Sequence, residues 1–176
     1  MNLETKRLKL ENIVLEDIKE IYEYSKEKNV GPNAGWKPHE SIEETEEIAK
    51  EIFINKKEVW GIKLKDNNQL IGTIGLINDT KRDNLNTRMV GYAISEKYWG
   101  NGFMPEALER VIEYGFEDMG LELISAYCYP FNKRSQKVLE KCNFEYEGTL
   151  KRAEIIYNGN VYDNICYSIL KDGRKK

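Results

Sequence analysis

Histidine, cysteine and proline are scarce in this chain of 176 residues, which contains one, three and four of them, respectively. A single histidine, His39, leaves almost no material for a histidine-clustered metal site or a Ser-His-Asp triad. The cysteines, Cys128, Cys142 and Cys166, are odd in number and form no C-x-x-C pair, which is typical of reduced thiols in a cytoplasmic protein. We therefore expect no metal, and acid–base chemistry carried by carboxylates, hydroxyls, backbone amides or a bound cosubstrate.

Long apolar runs and a large excess of one charge are also absent. No segment approaches the ~18–20 apolar residues of a membrane helix, and the start MNLETKRLKL lacks the apolar region of a signal peptide. There are 27 basic and 30 acidic residues, whereas a general nucleic-acid-binding protein needs a basic face. We expect neither nucleic-acid nor membrane partners. The length, the 40% of hydrophobic residues and the mean hydropathy of −0.65 predict one domain over residues 1–176.

Hydrophobic periodicity predicts a mixed α/β fold with a largely antiparallel sheet. Ser41 and Glu44 form a capping-box pattern at one helix start, and GPNAGW at 31–36 is typical of a loop. The clearest helix, Met104–Met119, has Pro105 near its first turn and Gly120 at its end. Strands are predicted at Arg7–Asn12, Val59–Leu64, Leu70–Ile77, Arg88–Ile94, Leu123–Tyr129, Phe144–Ala153 and Val161–Ile169, and the other helices at Asp17–Lys28, from Ser41 to Phe53, and at Lys133–Lys141.

The segment GYAISEKYWGNGFM, residues 91–104, is the most informative part of the chain. A predicted strand enters a loop with glycines at 100 and 102, and the loop leads directly into the amphipathic helix. Unpaired amides at a helix start, at the positive end of its dipole, can hold a pyrophosphate. An ordinary strand–helix turn is the alternative. The segment has no GxxxxGK[ST] motif, and GNGFMP lacks the third glycine of GxGxxG.

KYWGNG at 97–102 resembles the Q/R-x-x-G-x-G/A loop of the GNAT acetyltransferases, with lysine in the first position. GYAISEKYWGNGFMPEAL is similar to the GYW(L/I)…WGQGYATEAL pattern of the ribosomal-protein N-acetyltransferase (RimJ/RimL) branch. NKRS at 132–135 resembles the N-x-x-S motif of this branch, and NFEYEG at 143–148 its G-F-x-x-E-G. The segment from Ala153-Glu154 through Tyr162-Asp163 to Tyr167 resembles its A-E…Y-x-D…Y ending. The likeness covers nearly the whole chain.

The resemblance implies a GNAT fold, with a mixed, mostly antiparallel sheet of about seven strands, flanked by four helices and splayed where acetyl-CoA enters. It assigns Tyr92, Ala93 and Ile94 to the pantetheine arm, and one main-chain N–H of this strand to the thioester oxyanion. The implied pyrophosphate loop and helix start are Tyr98, Trp99, Gly100, Asn101, Gly102, Phe103 and Met104. Asn132 and Ser135 are expected near the thiol end of the cosubstrate, although Asn132 also suits a plain helix N-cap.

The resemblance also implies Glu154 as the general base and Ser135 as the partner of the leaving thiolate. The alternatives are a solvated strand carboxylate for Glu154 and a helix cap for Ser135. Two positions depart from patterns common in the family, since Met89 stands where many members have a carboxylate and Leu139 where many have a tyrosine acid. Trp36 and His39 are expected on the acceptor side, where the alternative for both is simple packing.

The expected function is acetyl transfer from acetyl-CoA to a primary amine in the cytoplasm, without a metal. The acceptor is either a protein N-terminal amine, as in the ribosomal-protein branch, or a small amine such as a polyamine or an amine-bearing antibiotic. A non-catalytic acyl-CoA sensor is an alternative from another functional class. Whether the chain forms a homodimer stays open.

Overall fold

Eight strands form one sheet in the computed structural model, which describes residues 1–173. Only the neighbours β5 and β6 are parallel, and every other pair is antiparallel. The mixed, mostly antiparallel sheet is thus confirmed, with eight strands instead of about seven. The strands are β1 (Leu3–Glu4), β2 (Leu8–Glu11), β3 (Val59–Leu64), β4 (Leu70–Ile77), β5 (Thr87–Ile94), β6 (Leu123–Cys128), β7 (Glu145–Ile155) and β8 (Val161–Leu170), in the spatial order β1-β2-β3-β4-β5-β6-β8-β7.

Five α-helices occur in residues 1–173, one more than expected. The added helix lies in the segment predicted as a loop, where Gly31–Ala34 form one turn that ends at Gly35 with φ of 91°. At the next helix, Ser41 Oγ accepts from the Glu44 amide at 3.1 Å, but the Glu44 carboxylate accepts from the amide of Glu40 rather than Ser41. The helices are α1 (Ile18–Ser25), α2 (Gly31–Ala34), α3 (Ile42–Ile52), α4 (Phe103–Glu117) and α5 (Lys133–Lys141).

Two apolar clusters cover the two faces of the sheet, as expected for helices packed on both sides. The larger cluster joins the buried stripe of α4, including Leu108 and Val111, to the strands and to Leu139 of α5. The smaller cluster joins Ile21 and Tyr24 of α1 and Ala49 of α3 to Val59 of β3 and Leu70 of β4. The helices α4 and α5 therefore lie opposite α1 and α3.

The sheet splits between its two parallel strands. Strands β5 and β6 pair only from Thr87 opposite Leu123 to Met89 opposite Ser125. Beyond Met89, β5 stays paired with β4 as far as Ile94, while β6 stays paired with β8 as far as Cys128. One edge of β5 is consequently free of strand partners from Val90 onward, although it lies in the middle of the sheet. This is the splay that the family resemblance implied.

Within residues 1–173, no helix combines the length and the apolar character needed to cross a membrane.

Candidate active site

A cavity of about 300 Å³ lies against the free end of β5. Its wall includes every residue predicted to bind the cosubstrate except Asn101. Helix α2 and the turn before it also line the cavity, through Asn29, Val30, Asn33 and Ala34. The structure thus brings together strand, loop and helix positions that the sequence motif placed only by order along the chain. The lining residues from the prediction are Tyr92, Ala93, Ile94, Tyr98, Trp99, Gly100, Gly102, Phe103, Met104, Asn132 and Ser135.

The glycine loop reaches the start of α4 through two left-handed residues. Gly100 has φ of 78° and Gly102, the N-cap of α4, has φ of 77°, a region that L side chains enter at a cost. No side chain caps α4 at this end, so the amides of Phe103 and Met104 stay available to a ligand, while Pro105 has no N–H to satisfy. The helix start is therefore built to receive an anion.

Arg7 anchors this loop from the other end of the chain. Its Nε lies 2.6 Å from Glu106 Oε2, its Nη1 donates to the Asn101 carbonyl at 3.0 Å, and its guanidinium lies 4.3 Å from the centre of the Phe103 ring. Asn101 is exposed and directs its amide to the Trp99 carbonyl at 3.1 Å. The sequence pattern gave no sign of the Arg7 contact, because its two sides are about a hundred positions apart.

Helix α5 adds a basic wall that the sequence analysis missed. Arg134, Lys137 and Lys141 line the cavity, and the Arg134 guanidinium lies 4.3 Å from the centre of the Trp99 ring. Their spacing of three and four places them on one helix face, which is the signal that could have identified them. The cavity therefore combines open helix-start amides with three cations.

Asn132 and Ser135 meet at the start of α5. Asn132 Oδ1 accepts from the Ser135 amide at 3.1 Å, which makes Asn132 an N-cap, and its Nδ2 donates to the Asn33 carbonyl at 2.9 Å. Both polar groups of Asn132 are thus engaged within the protein, and they tie α5 to α2 across the cavity. The Ser135 hydroxyl lies 2.9 Å from the Tyr92 hydroxyl.

Glu154 lies on β7, exposed and outside the wall of the cavity. Its Oε2 accepts from Nδ2 of Asn164 at 3.1 Å. Asn164 is 1% exposed, and in residues 1–173 its Oδ1 is the only buried side-chain oxygen or nitrogen without a hydrogen-bond partner. Burial, and next to it the charge of Glu154, raise the pKa of Tyr129. Glu154 therefore accepts from a buried amide and lies close enough to the Tyr129 phenol for its charge to act on it.

Trp36 and His39 also lie outside the cavity wall, with ring centres 5.1 Å apart. Thr45 donates its hydroxyl proton to the Ser41 carbonyl at 2.9 Å, so His39 Nδ1, 2.9 Å from Thr45 Oγ1, carries the proton of this bond. Burial lowers the pKa of His39. The neighbour of Trp36, Gly35, touches Tyr129 so closely that a Cβ there would lie 2.3 Å from the phenol oxygen.

Tyr129 lies near both Gly35 of the α2 turn and Glu154 of β7. Its ring stacks on Phe131 at 5.3 Å and lies 5.8 Å from Tyr162, in an aromatic surface between the α2 turn and the β7–β8 hairpin. Met89 and Leu139 stand where many members of the family have a carboxylate and a tyrosine. Met89 is the last residue of β5 that pairs with β6, and Leu139 is fully buried in the core. Within residues 1–173, no three His, Cys, Asp or Glu side chains are grouped to hold a metal ion.

Comparison with known proteins gives one consistent match. Residues 7–145 match the family model described as an acetyltransferase (GNAT) domain. The chain is similar to the uncharacterized N-acetyltransferase YoaA of Bacillus subtilis, with 34% identity over 173 residues and 96% of each chain covered. It superimposes on a GNAT-family acetyltransferase from Bacillus anthracis with a TM-score of 0.86 and 26% identity, covering 98% of this chain and 99% of that one.

Two further solved structures are acetyltransferases with different described roles. A ribosomal-protein-S5-alanine acetyltransferase from Vibrio fischeri matches with a TM-score of 0.77 and 26% identity over the full length of both chains. The microcin C7 self-immunity acetyltransferase MccE, solved with acetyl-CoA and AMP, matches with a TM-score of 0.79 and 25% identity, covering 94% of this chain and 93% of that one.

Proposed function

The chain belongs to the GNAT family and is an acetyl-CoA-dependent N-acetyltransferase, and from this premise we propose that it acetylates the N-terminal amine of a protein, as the RimJ/RimL branch does. The alternative acceptor is a small amine, such as a polyamine or an amine-bearing antibiotic. A third possibility from the sequence analysis is an acyl-CoA sensor, which would bind acetyl-CoA without acetylating any amine.

The free edge of β5, continuous with the open start of α4, is the observation that carries cosubstrate binding. The pantetheine arm contains two amide groups, so it can pair as a short strand does with the edge of β5 that β6 leaves free at Tyr92 and Ile94. The Ile94 carbonyl on this stretch already accepts from Trp99 Nε1 at 2.9 Å. The pyrophosphate then meets the amides of Phe103 and Met104. Arg134, Lys137 and Lys141 offset the negative charge of the nucleotide half.

Acetyl transfer requires a neutral amine, a stabilised oxyanion and a departing thiolate. Glu154 is the general base in this proposal, accepting the amine proton directly or through water. A main-chain N–H of β5 stabilises the oxyanion, and Ser135 donates to the thiolate. Glu154 is exposed and lies near Tyr129, which supports entry of the acceptor from the side of these two residues.

Trp36 and His39 support this acceptor side through Gly35, whose contact with Tyr129 joins the α2 turn to the aromatic surface. An extended peptide fits such a surface, since aromatic rings bind apolar side chains that follow the reacting amine. His39 is neutral and buried, so it acts as a support for Trp36 and Thr45 and leaves the base role to Glu154.

The test is a screen for release of the CoA thiol from acetyl-CoA, with N-terminal peptides, polyamines and aminoglycosides as acceptors. We expect turnover with one or more unblocked peptides and none with the same peptides blocked at the N-terminus. Turnover restricted to polyamines or aminoglycosides would replace the protein acceptor by a small amine. Binding of acetyl-CoA without turnover of any amine would favour the sensor.

A further inference from the structure

The family pattern assigns only the backbone of Tyr92 to the cosubstrate, but the side chain of Tyr92 also belongs to the site. Its side chain lines the cavity from β5, and its hydroxyl lies 2.9 Å from Ser135 Oγ and 3.4 Å from the Ser135 carbonyl. Ser135 is held in place by the bond from its amide to Asn132. A strand on one side of the split and the first turn of α5 on the other are therefore joined through two hydroxyl groups.

The direction of this bond follows from what each atom can accept. Either hydroxyl can donate while the cavity holds no anion. A thiolate sulfur beside Ser135 can only accept, so it takes the Ser135 proton as a hydrogen bond, and Tyr92 then becomes the donor to Ser135 Oγ. Two aligned hydrogen bonds in a low-dielectric site polarise each other and strengthen the one that reaches the anion.

The surroundings keep Tyr92 in its donor form. Burial raises the pKa of Tyr92 above its ordinary value of 10.0. The titratable groups that bear on its hydroxyl are the thiols of Cys128, on β6, and Cys142, just after α5. Burial raises the pKa of each thiol to about 12, so both are neutral at working pH. The basic side chains of α5 that line the cavity, Arg134, Lys137 and Lys141, are exposed.

We propose that Tyr92 is a positioning residue that directs the Ser135 hydroxyl toward the departing thiolate of CoA. This inference rests on the proposed transfer reaction. The amine lone pair forms the new C–N bond, the C–S bond breaks and its electron pair goes to sulfur, and the amine proton leaves to Glu154 or water. Ser135 and Tyr92 supply hydrogen bonds and keep their own protons, and solvent protonates the released thiolate.

The first test needs no acceptor amine. The thiol pKa of bound CoA is measured from the ultraviolet absorbance of its thiolate, as the difference between the CoA and desulfo-CoA complexes across a pH series. Tyr92→Phe removes only the hydroxyl, and we expect it to raise the pKa of the bound thiol by roughly one unit, because Ser135 loses the donor that strengthens its own hydrogen bond to the thiolate. An unchanged thiol pKa in Tyr92→Phe overturns the proposal, whether or not the chain acetylates any amine.

The matched control is Tyr24→Phe. Tyr24 is a buried tyrosine whose hydroxyl lies 3.1 Å from that of Thr73, and neither residue lines the cavity. It should leave the thiol pKa unchanged, which separates a local effect from loss of a buried phenol in general.

The second test measures coupling with an active acceptor. Tyr92→Phe should lower kcat roughly 10-fold in the native background. It should have little effect in a Ser135→Ala background, because the hydroxyl through which Tyr92 acts is then absent. Equal losses in both backgrounds would overturn the proposal, because they would show that Tyr92 acts independently of Ser135.

Discussion

Gly102→Glu is the substitution that most sharply tests the anion site at the start of α4. Gly102 has φ of 77°, and a Cβ there would lie 3.5 Å from Arg7 Nη2. The new side chain places a carboxylate beside the amides that the pyrophosphate needs. The left-handed backbone also costs roughly 1–2 kcal/mol for a residue with a Cβ, so the variant should melt a few degrees below the native chain without ligand.

The ligand-dependent part of the effect is larger. A ligand at 100 times its Kd stabilises the folded state by ~2.7 kcal/mol, which for a chain of this size raises Tm by roughly 5–10 °C. We expect acetyl-CoA to produce this shift in the native chain and none in Gly102→Glu, because like charge repels the pyrophosphate from its amides. The assay is thermal unfolding at a series of acetyl-CoA concentrations.

Two controls separate backbone strain from charge. Gly102→Ala carries the strain without the carboxylate and should keep part of the acetyl-CoA response. Gly120→Glu introduces the same backbone strain and the same charge, because Gly120 has φ of 69° and open space around its Cβ. Gly120 lies just beyond the opposite end of α4, so this variant should keep the full acetyl-CoA shift in Tm. A Gly102→Glu variant with the full native shift would refute the assignment of the pyrophosphate to this loop.

Three further outcomes are expected. Glu154→Gln should lower kcat on the order of 10²-fold with little change in acetyl-CoA affinity. Glu145 is an exposed carboxylate on the same strand, and Glu145→Gln should leave kcat unchanged. Native kcat at pH 7 in Glu154→Gln would make Glu154 a solvated carboxylate without a catalytic role. Burial lowers the pKa of His39, so the folded chain binds this proton more weakly than the unfolded chain does. The stability of the folded chain should therefore fall as pH drops below the unfolded pKa of 6.5. The Tm–pH profile of His39→Gln should be flatter in this range, and an equally steep profile would exclude His39 as the cause. EDTA should leave the rate of CoA release unchanged, and loss of activity that zinc restores would contradict a reaction without metal.

Local patterns predicted the elements around the cavity because their signals are short in sequence. The stripe of α4 and the capping residue Ser41 are each readable within a few positions. The one-turn helix Gly31–Ala34 and the two-residue strand β1 were missed because neither is long enough to show a period.

The missed site features depend on distance along the chain. Arg7 meets Asn101, and Tyr92 meets Ser135, only after the sheet has formed, and no spacing rule connects them. Glu154 illustrates the same limit, since the motif selected the residue but the structure alone places Asn164 and Tyr129 beside it. The resemblance assigned strand and loop positions, whereas side-chain partners across the split required three-dimensional contacts.

Transfer of a labelled acetyl group tests the central claim most directly. The chain is incubated with isotopically labelled acetyl-CoA and the best acceptor from the amine screen, and the CoA thiol and the labelled amide are quantified by mass spectrometry. We predict equal amounts of both products in the native chain, and strong loss of both in Glu154→Gln. Release of CoA thiol without labelled amide, at a rate that does not depend on the amine, would contradict acetyl transfer as the function of this site.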